Sequence, residues 1–370
     1  MTLEAKTFIA LAASVVNGAK SSIETSMDLD ALYEFASFHQ MTALIAAALA
    51  AAGVEDPRFK QEQAKSIRKN LLLDYDRKVI TDALEKAGIW YMPLKGVVLR
   101  EYYPQSWMRQ MSDNDILFDA KRADEVKTIM ETQGFTTVHF GTGHQDDYQK
   151  PPVSHFEMHR MLFASTVSEE RLYTYYRDIE RKLIAVSGCE RRFTDEDFYI
   201  YMVAHEYKHF YWNGTGLRSL LDVYVFLKRF EGALDWDYIR DETAKLGLAG
   251  FEQKNRELAF KTFGDGADID MLNAEQTKML ECFADAGVYG NKGQGIHNKA
   301  ARLGKSKYVM QRVFLPMPIV EANYPFFYKH KILLPVLPIY RLFHGWNNAV
   351  TEVKAINKTG DALQKSGKRQ

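Results

Sequence analysis

The segment RQMSDNDILF, residues 109–118, constrains the fold of this chain more than any other stretch. Asp113 and Asp115 are separated by one residue, and the apolar run 116–118 follows them directly. Because residues i and i+2 of a strand point to the same face, a strand here would direct both carboxylates at one point. Two like charges this close are costly unless a cation neutralises them. The segment therefore predicts either a turn that begins with aspartate or a cation site at the start of a buried strand.

Three neighbouring features favour the cation site. The stretch IWYMPLKG has the pattern of a buried strand that opens into a turn at Lys95-Gly96, where glycine lets the backbone approach a phosphate closely. Arg109 could pair with phosphate oxygens, and Glu157 is a third carboxylate on the alternating stretch VSHFEMHRM. The helix expected from Val97 offers N–H groups to an anion. Together they predict a two-metal phosphoryl-transfer site that binds Mg²⁺ or Mn²⁺, since hard cations bind carboxylates, water and phosphates.

The order of these motifs resembles the nucleotidyltransferase superfamily of DNA polymerase beta type. Within it, PLKGVVLREYY, RQMSDNDILF and FEMH together resemble a bacterial family of uncharacterised nucleotidyltransferases. Later helices of that family carry paired histidines and an arginine followed by an aspartate, and this chain has AHEYKHF and then LRSLLD. The resemblance covers roughly residues 30–345, and its sharpest motifs lie within 95–222.

The resemblance implies a role for each motif residue. Asp113 and Asp115 would hold the metal bound to the nucleotide, while Glu157 would help to bind a second metal and could act as general base on the acceptor hydroxyl. The implied reaction is in-line transfer of a nucleoside monophosphate from an NTP such as ATP, with loss of pyrophosphate. The residues expected at the triphosphate are Lys95, Gly96 and Arg109.

Histidines near Glu157 and on a later helix form a second set of candidates. His155 and His159 lie two residues to either side of Glu157, so in a strand the three share one face. Either histidine could orient Glu157, contact substrate or simply be solvated. Arg218 and Asp222, four residues apart on a helix, could instead form a surface ion pair. The residues considered for an acceptor pocket are His159, His205, His209, Arg218 and Asp222.

The segment HEYKH suggests a different function, that of a zinc hydrolase. His205 and His209 have the spacing of metal ligands on a helix, and Glu206 occupies the general-base position of the H-E-x-x-H pattern of zinc hydrolases. Zinc usually needs a third protein ligand, and no downstream motif provides one. A zinc hydrolase, an acceptor pocket and a structural role all remain open for this pair.

Composition narrows the class of partner. The 48 Lys and Arg residues balance 48 Asp and Glu residues, so there is no strong signal for nucleic-acid binding. The two cysteines, Cys189 and Cys282, lack metal-ligand spacing, which suits a reducing cytoplasm. The N-terminus lacks the basic region of a signal peptide, and the apolar run 42–54 is too short to span a bilayer. We expect a cytoplasmic protein without a transmembrane segment.

Periodicity predicts an α+β fold with a small mixed sheet. Residues 1–88 have helical spacing throughout and form a predicted N-terminal helical region. The segment 89–165 is predicted as strand, helix, strand, helix, strand, strand, with a polar loop over 141–152 and helices on one side of the sheet. The predicted division is a nucleotidyltransferase core over 89–190, a C-terminal helical region over 191–350 and a flexible tail over 351–370.

The sequence thus predicts a metal-dependent nucleotidyltransferase, a transferase of phosphorus-containing groups. Its acceptor would be an unknown hydroxyl of a small molecule, sugar or protein. One alternative is a regulatory protein that binds nucleotide without turnover, and another is the zinc hydrolase built around HEYKH.

Overall fold

A computed structural model describes residues 1–19, 27–165, 169–212, 214–230, 232–287 and 324–344, with a few isolated positions between 290 and 320. The chain divides into two units. The first contains residues 1–208 and 216–284, and the second contains residues 209–215 and 285–370. Among the described residues, no helix combines the length and apolar character that crossing a membrane requires.

Helices surround a central segment of strands along the chain. They are α1 (Leu3–Asn17), α2 (Leu29–Phe38), α3 (Thr42–Ala51), α4 (Pro57–Ala87), α5 (Gly96–Leu99), α6 (Ala123–Thr132), α7 (Glu170–Tyr176), α8 (Asp195–Trp212), α9 (Leu217–Phe230), α10 (Trp236–Lys245), α11 (Ala249–Phe263), α12 (Ala274–Ala286), α13 (Pro325–Lys329) and α14 (Leu337–His344).

Five strands form one mixed sheet in the order β1-β2-β5-β4-β3. They are β1 (Tyr91–Pro93), β2 (Asn114–Phe118), β3 (Thr136–His139), β4 (Gln145–Lys150) and β5 (Ser154–His159). The central strands β2 and β5 run parallel, whereas the other neighbouring pairs are antiparallel. Two further strands, β6 (Ile184–Ala185) and β7 (Arg191–Arg192), form a short separate hairpin.

The long helix α4 supports the sheet. Asp56 accepts the backbone N–H of Arg58 at 2.8 Å, and Pro57 occupies the first turn, where its missing N–H is no loss. Gly88 ends the helix in the left-handed conformation, with φ 65°. Between these ends, Ile80 and Leu84 are fully buried in the core that α4 shares with the sheet.

The two faces of the sheet differ because side chains alternate along each strand. One face packs against α4 and α6 and is apolar; its buried residues include Ile116, Phe118, Tyr148, Phe156 and Met158. The residues between them point to the opposite face, which therefore presents the acidic and histidine side chains of β2 and β5.

Buried polar contacts fix the strands against α4. Asn114 donates from its side-chain amide to the carbonyl of Leu73 at 3.0 Å and accepts from Arg77 at 3.1 Å. Asp76 accepts from the ammonium group of Lys150 at 2.8 Å. A buried polar group is costly to leave without a partner, so these bonds favour one position of β2 and β4 along α4.

The predicted α+β fold with a small mixed sheet is confirmed, and the stretches predicted as strands contain β1, β2, β3 and β5. The loop predicted over 141–152 is wrong in part, because residues 145–150 form β4. Its alternation was hidden because one inward residue, Asp146, is polar. Arg160 donates to Asp146 at 2.8 Å, and so does the backbone N–H of Gly141, which makes this buried carboxylate tolerable.

The predicted boundaries fall at identifiable places. Residue 88 is the glycine that ends α4, and residue 190 lies in the hairpin between β6 and β7. The division into a helical region, a core and a second helical region stays a prediction. The predicted tail, 351–370, lies outside the described residues.

Candidate active site

The parallel pairing of β2 and β5 brings the candidate residues together. Asp115 lies directly opposite Glu157, and Leu117 lies opposite His159. One ligand atom from each of Asp115, Glu157 and His159 lies within 4.8 Å of the other two. Two carboxylates and an imidazole at this spacing could hold a divalent cation. In the part of the chain that the structure describes, this is the one such group found.

Lys95 fills the space between these carboxylates. Its ammonium nitrogen lies 2.6 Å from Oδ1 of Asp115 and 3.7 Å from Oε2 of Glu157. The residue sits in the turn before α5 with φ 46°, a conformation that non-glycine residues seldom adopt. Backbone of this kind is uncommon and tends to occur at functional sites. The positive charge therefore lies beside two of the carboxylates that could hold a cation.

His159 donates into the same cluster. Its Nε2 lies 2.9 Å from Oδ1 of Asp115 and 3.5 Å from Oε2 of Glu157, and its side chain is buried. Its Nδ1 is buried without a hydrogen-bond partner among the described residues. That arrangement favours the tautomer with hydrogen on Nε2, because an N–H at Nδ1 would be left unsatisfied.

The pKa values of the two aspartates, Asp113 and Asp115, are shifted in opposite directions. Burial opposes ionisation of Asp115, but Lys95 and His159 outweigh it and hold the pKa of Asp115 well below its usual range. Asp113 lies outside the group of three ligand atoms. Burial, followed by the charges of Asp115 and Glu157, raises the pKa of Asp113 to about 6. These carboxylates therefore carry more negative charge than Lys95 neutralises.

Gly96 and Arg109 form the support of this turn. A Cβ added at Gly96 would lie 2.4 Å from a guanidinium nitrogen of Arg109 and 2.8 Å from the sulfur of Met111. Arg109 itself is buried and makes a bidentate pair with Asp222, at 2.8 and 2.7 Å. The glycine therefore gives room to an arginine side chain. The guanidinium of Arg109 is already paired with Asp222. The predicted contact between Arg109 and a triphosphate stays a prediction.

Asp222 and Arg218 do not form the surface ion pair that their spacing allowed. Asp222 is buried, and besides Arg109 it accepts a hydrogen bond from the hydroxyl of Tyr103 at 2.8 Å. Arg218 donates instead to the side chain of Gln40 at 3.2 Å and to the carbonyl of Gln110 at 3.1 Å. Both residues thus tie α9 to the chain that leads into β2.

The H-E-x-x-H helix is arranged differently from a zinc site. Glu206 is buried and accepts a hydrogen bond from the side chain of Asn255 on α11, and burial raises its pKa to about 7. The ring of His205 lies 6.0 Å from that of Tyr201, one turn earlier on α8. His209 belongs to the second unit of the chain. The position of Glu206 between helices gives the zinc hydrolase no support.

Two residues near the site escaped sequence analysis. Asp147 on β4 lies directly opposite Glu157, so it shares that face of the sheet, but it falls in the stretch predicted as a loop. Tyr201 of α8 is buried close enough for Asp115, Glu157 and Lys95 to influence its pKa, which burial raises most. Tyr148 is the one apolar residue of QDDYQK, so no apolar alternation marked Asp147, and nothing local marked Tyr201.

Comparison with known proteins gives a match to one family. A family model described as "Uncharacterised nucleotidyltransferase" matches residues 25–264, well over half of the chain. Neither the curated proteins nor the solved structures contain a match to the chain. All the candidate residues on β2, β5, α8 and α9 lie inside the matched range.

Proposed function

The chain belongs to this family of uncharacterised nucleotidyltransferases, and on that premise we propose that it moves a nucleoside monophosphate from an NTP to a hydroxyl group, releasing pyrophosphate. We also propose that the chain belongs to the nucleotidyltransferase superfamily of DNA polymerase beta type, within a bacterial family. One observation carries it: Asp115, Glu157 and His159 converge within 4.8 Å beside the Lys95-Gly96 turn. The proposed acceptor is a small molecule, a sugar or a protein.

The donor set suits the metal that such a reaction needs. Two carboxylates match the oxygen preference of Mg²⁺, and the imidazole of His159 also suits Mn²⁺. When bound, the cation would neutralise triphosphate charge and polarise the phosphoryl oxygens. The proposed ligands are Asp113, Asp115 and Glu157, with His159 beside them.

The chain's own side chains then orient the reacting groups and neutralise the charge of the triphosphate. Hydrogen bonding by His159 orients the carboxylate of Asp115. The ammonium group of Lys95 is the cation nearest the carboxylates, and we propose that it turns to the triphosphate when nucleotide binds. Glu157 is less buried than Asp115 and is the proposed general base for the acceptor hydroxyl. Gly96 and Arg109 shape the turn, so that the catalytic groups are held in place.

The acceptor pocket is proposed from the residues around this face. His159 and His205 lie on the elements next to the carboxylates, while Arg218 and Asp222 fix α9 beside the start of β2. His209 belongs to the second unit, and its role at the acceptor stays a sequence prediction. The formal net charge of zero favours a small molecule, sugar or protein as acceptor over a nucleic acid. The proposed location is the cytoplasm, where NTP is present, because the two cysteines of the sequence lack metal-ligand spacing and suit a reducing compartment.

Label transfer tests the proposal directly. Protein is incubated with each of the four NTPs labelled at the α-phosphate, with Mg²⁺ or Mn²⁺, and with protein or metabolite extracts. Transfer of label to protein or metabolite, with release of pyrophosphate, is expected for the wild type and not for Asp113→Asn plus Asp115→Asn. A matched control is Asp82→Asn plus Asp237→Asn, which removes two exposed carboxylates elsewhere. Equal labelling by the Asp113 and Asp115 double variant would overturn the catalytic assignment.

One observation favours a second candidate function. The ammonium group of Lys95 already occupies the position between Asp115 and Glu157, as a permanent counter-ion would in a protein that does not turn over. The alternative is therefore a regulatory protein that binds nucleotide without releasing pyrophosphate. Nucleotide binding without pyrophosphate release would separate this alternative from the transferase.

A further inference from the structure

The segment 324–344 of the second unit has two apolar sides. It comprises α13, a 3-10 turn over Lys331–Val336, and α14. Val320, Phe327 and Leu337 are buried together, and Leu333 packs against them. One side of the segment therefore provides a small core of its own.

Other apolar side chains of the same segment are exposed. Ile332 is 90% exposed and Ile339 is 55% exposed, and Phe326 and Val336 are exposed as well. Leu333 and Leu337 belong to the buried cluster, so apolar side chains lie both in the small core and on the exposed side of the same short segment. A helical segment that is apolar on two sides needs a second apolar environment. We call the exposed set of Phe326, Ile332, Val336 and Ile339 the C-terminal apolar face.

The charged residues nearest to this face in the sequence are basic. Lys329, His330 and Lys331 are exposed, and the sequence contains no Asp or Glu from residue 322 to residue 351. The whole chain, in contrast, has no net charge. Apolar side chains flanked by lysines, with no acidic residue among them, suit a surface that is apolar inside and negatively charged outside.

We propose that the C-terminal apolar face binds the surface of a membrane that contains anionic lipid. Its apolar side chains enter the boundary between headgroups and acyl chains, while Lys329 and Lys331 contact the phosphate and carboxylate groups of the lipids. The segment lies on the membrane and does not cross it. A second copy of the chain suits the face less well, because two such faces would bring like charges together.

Vesicle sedimentation of the full chain tests this proposal. Binding to phosphatidylcholine vesicles that contain phosphatidylserine is expected, with much weaker binding to phosphatidylcholine alone and a decrease as salt is added. Ile332→Glu plus Ile339→Glu is expected to lower partitioning at least about tenfold, because two apolar contacts are lost and two negative charges face the lipid. The matched control is Leu71→Glu plus Met271→Glu, which adds the same charges at two exposed apolar positions of the first unit.

A second pair of substitutions separates charge from apolar contact. Lys329→Gln plus Lys331→Gln is expected to weaken binding to phosphatidylserine vesicles and to leave the weak binding to phosphatidylcholine unchanged. The proposal is overturned if the wild type does not sediment with either vesicle, or if both double glutamate variants lose binding equally. It is also overturned if light scattering shows a dimer that Ile332→Glu plus Ile339→Glu converts to monomer. Circular dichroism and the unfolding temperature check that each variant is folded.

Discussion

Lys95 lowers the electrostatic repulsion among the acidic side chains of the site. Asp113, Asp115 and Glu157 would otherwise bring three carboxylates together, and the ammonium group 2.6 Å from Asp115 offsets part of that repulsion. A metal and Lys95 would then compete for the same oxygens. The consequence is that nucleotide and metal should bind together, because the triphosphate offers Lys95 a new partner.

Replacing this lysine tests the competition. Lys95→Met is expected to raise the affinity of the nucleotide-free protein for Mn²⁺ by at least about tenfold, since a unit charge about 4 Å away contributes several kcal/mol at intermediate dielectric. The rate of nucleotidyl transfer is expected to fall, because the triphosphate loses a cation. Electron paramagnetic resonance of free Mn²⁺ gives the affinity, with Lys78→Met, at an exposed site on α4, as control. Unchanged or weaker Mn²⁺ binding by Lys95→Met would contradict the competition.

Gly96 has little room for a side chain. Gly96→Ala is expected to destabilise the protein by about 1–3 kcal/mol, because its Cβ would overlap Arg109 and Met111 and force them to move. Gly250→Ala on α11 is the matched control, since a Cβ there meets nothing within 4 Å. Urea denaturation measures both. Equal stability of Gly96→Ala and wild type would show that Arg109 is held less tightly than its contacts indicate.

Residues of the site differed in how readily the sequence revealed them. The sequence could place Asp115 and Glu157 on strands because the period of a strand is two residues and depends on local pattern alone, whereas β2 begins only after Asp113. The partner of Arg109 could not be found in that way, since Asp222 lies 113 residues further along the chain. Local spacing suggested Arg218 as the partner of Asp222, and tertiary packing decided otherwise.

At the scale of elements, the pair of Arg109 and Asp222 docks α9 against the chain before β2. Asp222→Ala is expected to cost about 3–5 kcal/mol, because the guanidinium of Arg109 would remain buried without a counter-charge. Asp82→Ala, which removes an exposed helix pair with Lys78, is expected to cost less than about 1 kcal/mol. Chemical denaturation distinguishes the two. A small effect at Asp222 would mean that water reaches Arg109.

The packing of α8 against α11 predicts a pH dependence. Burial raises the pKa of Glu206 from 4.5 to about 7, so between these values the folded state binds a proton that the unfolded state has released. This group's contribution to stability is therefore present below about pH 4.5 and is lost as the pH rises through about 7. Glu206→Gln removes that dependence and is expected to be more stable than wild type at pH 8 by about 1–3 kcal/mol.

The comparison for Glu206 is made by denaturation at pH 5 and pH 8. Glu275→Gln on α12 serves as control, because its carboxylate is exposed and should change stability equally little at both pH values. The difference between Glu206→Gln and wild type should grow with pH. A difference that stays constant would show that Glu206 is ionised in the folded protein throughout this range.

The sequence predicted strands correctly where their buried face is apolar. It failed to predict the strand whose buried face carries a polar residue. The strands β2 and β5 show apolar residues at alternate positions, and periodicity identified both. In β4 the inward positions are Asp146 and Tyr148, so the pattern resembles a polar loop. Only the tertiary structure supplies the partners, Arg160 and the backbone N–H of Gly141, that make a buried aspartate acceptable there.

At the scale of the whole molecule, the match to the family covers residues that lie almost wholly in the first unit, and the C-terminal apolar face lies in the second. Transfer chemistry and membrane contact are thus proposed for separate parts of one chain. Variants that affect one property should leave the other unchanged, and vesicle binding by Asp113→Asn plus Asp115→Asn should equal that of wild type.

Ligand binding should appear as increased stability of the whole chain. A ligand at about 100 times its dissociation constant adds about 2.7 kcal/mol to the free energy of unfolding. We expect Mg²⁺ with a non-hydrolysable NTP analogue to raise the unfolding temperature by several degrees. Mg²⁺ alone should raise it less, because Lys95 then has no phosphate to move to. Asp113→Asn plus Asp115→Asn should lose most of the shift, whereas Asp82→Asn plus Asp237→Asn should keep it.

The pattern of shifts separates the candidate functions. A shift with one NTP together with pyrophosphate release supports the transferase, since binding and turnover then occur at the same site. A shift without any release supports the regulatory protein, in which Lys95 stays the counter-ion of Asp115 and Glu157. If none of the four nucleotides moves the unfolding temperature at saturating Mg²⁺ or Mn²⁺, both candidates fail together, because each requires nucleotide to bind the folded chain more tightly than the unfolded one.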